Sequence, residues 1–226
     1  MKALFALGLL ISSTAIASQA EIDKIESAYF ATNSKVLTEL VTENEHYSKA
    51  LANYRLSILH NVHSNKDAAI NTIASTINTL ELAVKANPED AESWGLLSTS
   101  YGLMLSYQPE LTKEYGQKSD EALKKAESIA PNNPRVYLFK AIISFNTPAA
   151  YGGDKNKAMA YINKAIDLYS YDRNSNHYWG EAEAYVWRGL IHQAMNENQK
   201  AAVDFTMALQ IEPNLDWAKM LLTNIS

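Results

Sequence analysis

Apolar residues recur three and four positions apart along most of the chain from residue 21 onward, which is the spacing of a buried helix face. Short polar segments and prolines divide this pattern into separate runs, and each break marks a predicted helix end. Between residues 21 and 43, a polar break near residue 33 leaves two alternatives, one bent helix or two short ones. The whole pattern predicts an all-α fold of about ten helices, ending in a capping helix at 214–225.

Aromatic and small residues alternate on the inner faces of two consecutive predicted helices near the C-terminus. Small side chains let two helices approach closely, and aromatic rings fill the space beside them. A proline then ends the second helix, because it has no N–H to donate. The residues in these positions are Tyr185, Gly189, His192, Ala201, Phe205, Ala208 and Pro213.

This arrangement resembles the tetratricopeptide repeat, a helix–turn–helix unit about 34 residues long. Arg188 departs from the family pattern, which usually has Leu at that position. Alanines equivalent to Ala208 recur upstream at intervals of about 40 residues, which would also suit HEAT-like repeats. Trp94, Gly189 and the closing prolines favour the tetratricopeptide class. The repeats are expected at about 46–88, 89–131, 132–170 and 177–213, within a single helical domain at 21–226.

The resemblance implies a right-handed α-solenoid of antiparallel helix pairs, in which the first helix of each pair lines a concave groove. An apolar strip with a charged rim would suit a protein segment, a peptide or an apolar small molecule. The alternative is that the N-terminal helices or the insertions fold back and fill the groove. By the repeat register, the groove-facing residues are Glu92, Thr99, Arg135, Leu138, Ile142, Glu183, Val186, Leu190 and Gln193.

A glycine-containing loop, Tyr151-Gly152-Gly153-Asp154, separates the two helices of the third repeat. Asp154 could cap the second helix, or the loop N–H groups could hold an anion, although the Asp154 carboxylate would repel one. The loop is also similar to a Gly-Gly-Asp turn in the periplasmic T-component proteins of TRAP-type transporters. That resemblance implies an accessory role in solute transport, but the lipid-bearing cysteine that many members carry is absent here.

The N-terminus has the composition of a secretory signal peptide over residues 1–20. Lys2 precedes a short apolar run and then small residues, and cleavage is expected after Ala20, with Ala17 as the second choice. A retained N-terminal anchor is the alternative. No later segment is long and apolar enough to span a membrane. We therefore expect export to a bacterial periplasm, or secretion as the alternative location.

Composition and motifs narrow the function further. The net charge of −5 argues against a nucleic-acid partner, and the lack of cysteine excludes disulfides and thiolate chemistry. His60 and His63 are three residues apart on a predicted helix, but no further metal ligand lies nearby, so we expect no metal site. No catalytic or nucleotide-binding fingerprint occurs. The chain is accordingly predicted to be a binding protein without a cofactor and without enzymatic activity.

Overall fold

The computed structural model describes residues 18–172 and 177–225, and within these ranges the chain forms eleven α-helices, two short 3-10 helices and no β-strand. The prediction of an all-α fold is therefore confirmed. The 3-10 helices are Pro109–Leu111 and Ala149–Tyr151. The α-helices are α1 (Gln19–Phe30), α2 (Ser34–Glu43), α3 (His46–Val62), α4 (Lys66–Ala86), α5 (Ala91–Tyr107), α6 (Thr112–Ile129), α7 (Pro134–Asn146), α8 (Lys155–Tyr169), α9 (Glu181–Ala194), α10 (Asn198–Ile211) and α11 (Asp216–Ile225).

The polar break after residue 30 separates two helices. Thr32 adopts a left-handed backbone conformation, with φ at 53°, and the N–H of Asn33 donates to the carbonyl of Ala28 at 2.8 Å. This is the geometry in which a helix C-terminus satisfies its last carbonyls. The Asn33 side chain then accepts from the N–H of Val36 and caps α2. Thus one short polar segment ends α1 and starts α2.

Four consecutive helix pairs, α3–α4, α5–α6, α7–α8 and α9–α10, make up most of the molecule, and α11 packs on the last pair. The first helix of each pair also contacts the first helix of the next pair, and we call α3, α5, α7 and α9 the inner helices. Polar residues cap several helices of the four pairs, because their side chains accept from free N–H groups of the first turn. They are Asn65 for α4, Asp90 for α5, Asn133 for α7 and Asp154 for α8.

Small residues allow the close helix contacts that the sequence pattern indicated. A Cβ atom at Gly189 would overlap the ring of Phe205, so only glycine fits between α9 and α10 at this spacing. Ala158, Ala201 and Ala208 are fully buried. Arg188, the departure from the repeat pattern, donates to the buried carboxylate of Asp204 at 2.9 and 2.6 Å. An ion pair therefore stands where the family usually has an apolar contact.

The helix α1 reaches from the first pair to the last. Ile22 and Ile25 lie in the core formed by α3, α4 and α5. Phe30 lies in a different buried cluster, together with Ala182 and Val186 of α9. The curvature of the stack consequently brings its two ends together across α1.

Most of the predicted signal peptide, residues 1–17, lies outside the described residues. Within the described ranges, Ser18 caps α1 and forms a reciprocal capping box with Glu21. None of the helices in residues 18–172 and 177–225 is both long and apolar enough to cross a bilayer.

Candidate binding groove

The nine residues predicted to line the groove are on the inner helices, but most of them are covered. Ile142, Leu190 and Gln193 are partly exposed. The other six are buried, and they are Glu92, Thr99, Arg135, Leu138, Glu183 and Val186. Helix α1 fills part of the groove, which is one of the alternatives considered from the sequence, and the turn before α9 fills another part. Glu92, Arg135 and Glu183 are buried and do not form the expected charged rim. The contact with Arg55 buries Glu183. Glu92 and Arg135 are buried by their contact with each other and with Asp172, between neighbouring helix pairs.

Three charged residues from α1, α3 and α9 form what we call the closing cluster, Glu26, Arg55 and Glu183. The Arg55 guanidinium donates to both oxygens of Glu26, from Nε at 2.8 Å and from Nη2 at 2.7 Å. It also donates to Glu183, from Nη1 at 2.9 Å and from Nη2. Arg55 is only 1% exposed, and the rings of Tyr29 and Trp179 flank it at 4.3 and 5.0 Å. The cluster ties the first inner helix to the last one.

Burial and neighbouring charges shift the pKa values of Glu26 and Arg55 differently. Burial raises the pKa of Glu26 to about 7, against the attraction of Arg55, and the charge of Glu183 adds to the rise. Burial lowers the pKa of Arg55, but the charges of Glu183 and Glu26 outweigh this and raise it well above its ordinary value. Arg55 therefore stays charged, while the Glu26 carboxyl changes its protonation state near neutral pH.

A second buried arginine forms what we call the neighbour cluster, Glu92, Arg135 and Asp172, between α5, α7 and the segment after α8. Arg135 donates from Nε to both oxygens of Glu92 at 2.8 Å and from Nη2 at 2.6 Å. It also donates from Nη1 to Asp172 at 2.7 Å, and the Asn133 amide donates to Glu92 at 2.6 Å. Burial raises the pKa of Glu92, but the Arg135 and Asn133 contacts outweigh it and hold the pKa below its ordinary value.

The segment before α9 also enters the groove. Trp179 is buried, donates from Nε1 to the Tyr47 hydroxyl at 3.1 Å and lies 5.8 Å from the Phe139 ring, centroid to centroid. Gly180 has φ at 94°, and a side chain there would meet the Tyr169 hydroxyl. Glycine is required at this turn for both reasons. The groove is thus filled from two directions, by α1 and by the turn preceding α9.

The sequence interpretation missed Glu26, Arg55 and Trp179 as groove residues. Arg55 did carry a signal, since it is a charged residue on a helix whose neighbours Leu51 and Leu59 are apolar and buried. A charge in such a position needs a partner of opposite sign. Nothing in the spacing of Glu26 identifies it as that partner, because the two residues belong to helices that meet only in the folded chain.

The Gly-Gly-Asp loop is structural. Asp154 caps α8 by accepting from the N–H groups of Asn156 and Lys157 at 2.8 and 3.1 Å. Gly152 has φ at 93°, and a Cβ at Gly153 would overlap the carbonyl of residue 147. The cap occupies the helix start that an anion would need, so the capping alternative describes this loop. Tyr151 is 71% exposed and makes no part of the groove.

Potential metal ligands are scattered through the described ranges. No group of three or more His, Asp or Glu side chains in residues 18–172 and 177–225 is arranged to hold a metal ion. His192 bonds through Nδ1 to Glu197 at 2.6 Å. One surface depression lies beside Leu168, Tyr171 and Asp172, at the edge of the neighbour cluster, and another lies along Val203 and Met207 on α10.

Comparison with known proteins supports the repeat architecture. Residues 182–215, which contain α9 and α10, match the family model of the tetratricopeptide repeat. A thermophilic TPR protein from Thermus thermophilus is similar in structure, with a TM-score of 0.56 and 17% identity over 92% of this chain and 98% of that chain. The HusA haemophore from Porphyromonas gingivalis is similar with a TM-score of 0.57 and 22% identity, over 78% of this chain and 91% of that chain. A search of curated proteins finds no match. The prediction of a tetratricopeptide-like α-solenoid is confirmed.

Proposed function

We propose that the protein is a scaffold that binds a protein or peptide segment along its inner helices. The observation that carries this proposal is the composition of the groove, where Arg55 and Arg135 lie on inner helices and Trp179 lies on the turn that enters the groove. Arginine and tryptophan are the residue types that most often dominate protein interfaces. The same wall already accommodates a helix, α1, so its shape suits a peptide backbone. The proposal involves no catalytic step and no cofactor.

Site-specific photo-crosslinking in the native host tests the groove as the binding surface. A photoreactive phenylalanine derivative at Gln193, and separately at Ile142, should give a discrete crosslinked product with one partner. The matched controls place the same group at Leu82 and Val203, which are exposed away from the groove. Products only from the control positions would contradict the proposal.

We further propose that the protein is exported and that processing leaves Ser18 as the first residue. Two sets of contacts support cleavage after Ala17 over cleavage after Ala20. Ser18 and Glu21 cap α1 reciprocally, and the Gln19 side-chain amide both donates to and accepts from the Tyr178 backbone at 2.7 Å. Intact-mass analysis of the periplasmic fraction should give a chain starting at Ser18, whereas a start at Glu21 or an uncleaved chain would contradict this.

A second candidate function is an accessory role in a periplasmic solute transport system, with an apolar small molecule as ligand. The resemblance of residues 151–154 to the T-component turn favours it, and a haemophore shares the fold. Native mass spectrometry of protein isolated from its host separates the two functions. A stoichiometric apolar ligand would favour transport, and a retained protein partner would favour the scaffold.

A further inference from the structure

We propose that α1 occupies the partner's binding site in the free protein and that the partner is an amphipathic helix which displaces α1 from the groove. This partner helix would present two aliphatic residues and one carboxylate at the spacing of Ile22, Ile25 and Glu26. The inference rests on the proposed scaffold function and specifies the chemistry of its partner.

The buried face of α1 defines what the groove accepts. Ile22, Ile25 and Glu26 lie at offsets of three and four, the spacing of one helix face, and all three are buried. Phe30 extends that face toward α9. Asp23, Lys24 and Ser27 on the opposite face are exposed. The groove therefore recognises a helix by two aliphatic side chains, one carboxylate and one aromatic ring on the buried face of that helix.

The Glu26 carboxylate contributes to specificity, because the Arg55 N–H groups that donate to it belong to the wall of the groove. Arg55 uses Nε and Nη2 for Glu26, whereas Nη1 and the remaining Nη2 contact serve Glu183. With α1 displaced, Nε would need a new acceptor, because a guanidinium has only donors. A partner carboxylate restores both bonds, and an apolar side chain restores neither.

Three features make α1 separable from the rest of the fold. When Glu26 leaves with α1, its carboxylate regains water and Arg55 keeps Glu183 as a partner, so no buried charge is left without a counter-charge. The connection to α2 runs through Thr32, a β-branched residue in the left-handed region, which is a strained conformation for such a side chain. In addition, α2 packs mainly against α3 and less extensively against α1. Its contact with α3 can hold α2 in place while α1 leaves.

The contact of α1 with the other end of the solenoid can be locked chemically. Phe30 of α1 shares a buried cluster with Ala208 of α10 and with Leu215, so the end of α10 faces α1. Glu212 follows α10, and its pKa is raised by burial and also by the charge of Asp23 on α1. The chain has no cysteine of its own. An Asp23→Cys, Glu212→Cys double variant can therefore be joined by a reducible bis-maleimide linker without side reactions.

The test uses a fluorescent synthetic peptide of residues 18–33 as the probe and full-length protein throughout. An Ile25→Ala variant loosens the internal helix, so it should bind the peptide about tenfold or more tightly than the wild type does. The linked double variant should show no binding until the linker is reduced. A peptide with Glu26→Ala should lose about tenfold in affinity, whereas the matched Ser27→Ala peptide should bind normally.

Three results would overturn the inference. The first is that the Ile25→Ala protein binds no better than the wild type, and the second is that the linker has no effect. The third is that Ile25→Ala unfolds the whole chain, since α1 would then be inseparable from the fold. Persisting photo-crosslinks from Gln193 under any of these results would leave the scaffold function standing and refute only the role of α1.

Discussion

Arg55 and Arg135 each hold two carboxylates in the interior, yet they join different parts of the molecule. The neighbour cluster of Arg135 connects α5 with α7, which belong to consecutive helix pairs. The closing cluster of Arg55 connects α3 with α1 and with α9, the inner helix of the last pair. The neighbour cluster stabilises the packing of one helix pair on the next. The closing cluster stabilises the contact between the two ends of the stack.

The two clusters also differ in how well their carboxylates are compensated. Glu92 receives three hydrogen bonds from Arg135 and one from Asn133, and its pKa is held below the ordinary value. Glu26 shares its arginine with Glu183, and its pKa rises to about 7, mainly through burial. The ion pair between Glu92 and Arg135 should therefore persist at neutral pH. In the closing cluster, the ionisation of Glu26 should change with pH.

The largest effect is expected from Arg135→Met. This change leaves Glu92 and Asp172 in the interior without the guanidinium, which should cost about 3–5 kcal/mol of unfolding free energy. Urea denaturation at pH 7.5 measures it. Arg55→Met is the matched variant, and its cost should be smaller at pH 5.5 than at pH 8, because Glu26 can then take up a proton. An equal cost of Arg55→Met at both values would break the distinction between the clusters.

Gly189→Leu tests the contact within a pair, which the account treats as independent of the closing cluster. The new side chain would overlap Phe205, so overpacking should cost about 3 kcal/mol. Gly102→Ala is the control, because a Cβ there meets only Ile143 at an ordinary 3.8 Å, and it should be neutral or slightly stabilising. Thermal unfolding checks both changes, and a neutral Gly189→Leu would contradict the assigned repeat register.

Glu26→Gln should reveal the proton held by the closing cluster. The buried carboxyl has a pKa of about 7, against an ordinary value of 4.5, so the folded protein binds more protons between those values. The resulting stability is complete below pH 4.5 and is lost as the pH rises through 7. Relative to the Gln variant, the wild type should lose about 2 kcal/mol of unfolding free energy between pH 5 and pH 8.5.

Comparison with the Gln variant cancels the other groups that titrate in this window. His177 is one of them, since burial lowers its pKa and its contribution runs in the opposite direction. A difference between the two proteins that does not change with pH would show that Glu26 stays ionised in the folded chain.

The smallest effect is expected at Thr32. Glycine adopts the left-handed region without strain, so Thr32→Gly should stabilise the chain by about 0.5 kcal/mol after the extra backbone entropy of glycine is included. Ser27→Gly, an exposed change within α1, should instead destabilise by about 0.5 kcal/mol. If Thr32→Gly also destabilises in thermal unfolding, the turn stores no strain.

The sequence predicted the features that depend on neighbouring residues. Gly189, Phe205 and Ala208 follow from the steric needs of one helix pair, and the Asp154 cap follows from the start of one helix. The burial of Arg135 did not follow, because its partner Asp172 lies on the segment after α8 and has no fixed spacing from it. The burial of Glu183 did not follow, because it depends on the angle added at each pair along the stack. Small errors in that angle accumulate, so a repeat pattern alone cannot tell whether the groove stays open or closes.

In solution, α1 should close the solenoid by meeting its last helix pair. Double electron–electron resonance between spin labels at Asp23→Cys and Glu212→Cys can measure this, because one label is on α1 and the other follows α10. We expect one narrow distribution of short distances between the labels. A broad distribution centred at long distances would show an open groove with a detached α1 and would refute the closure.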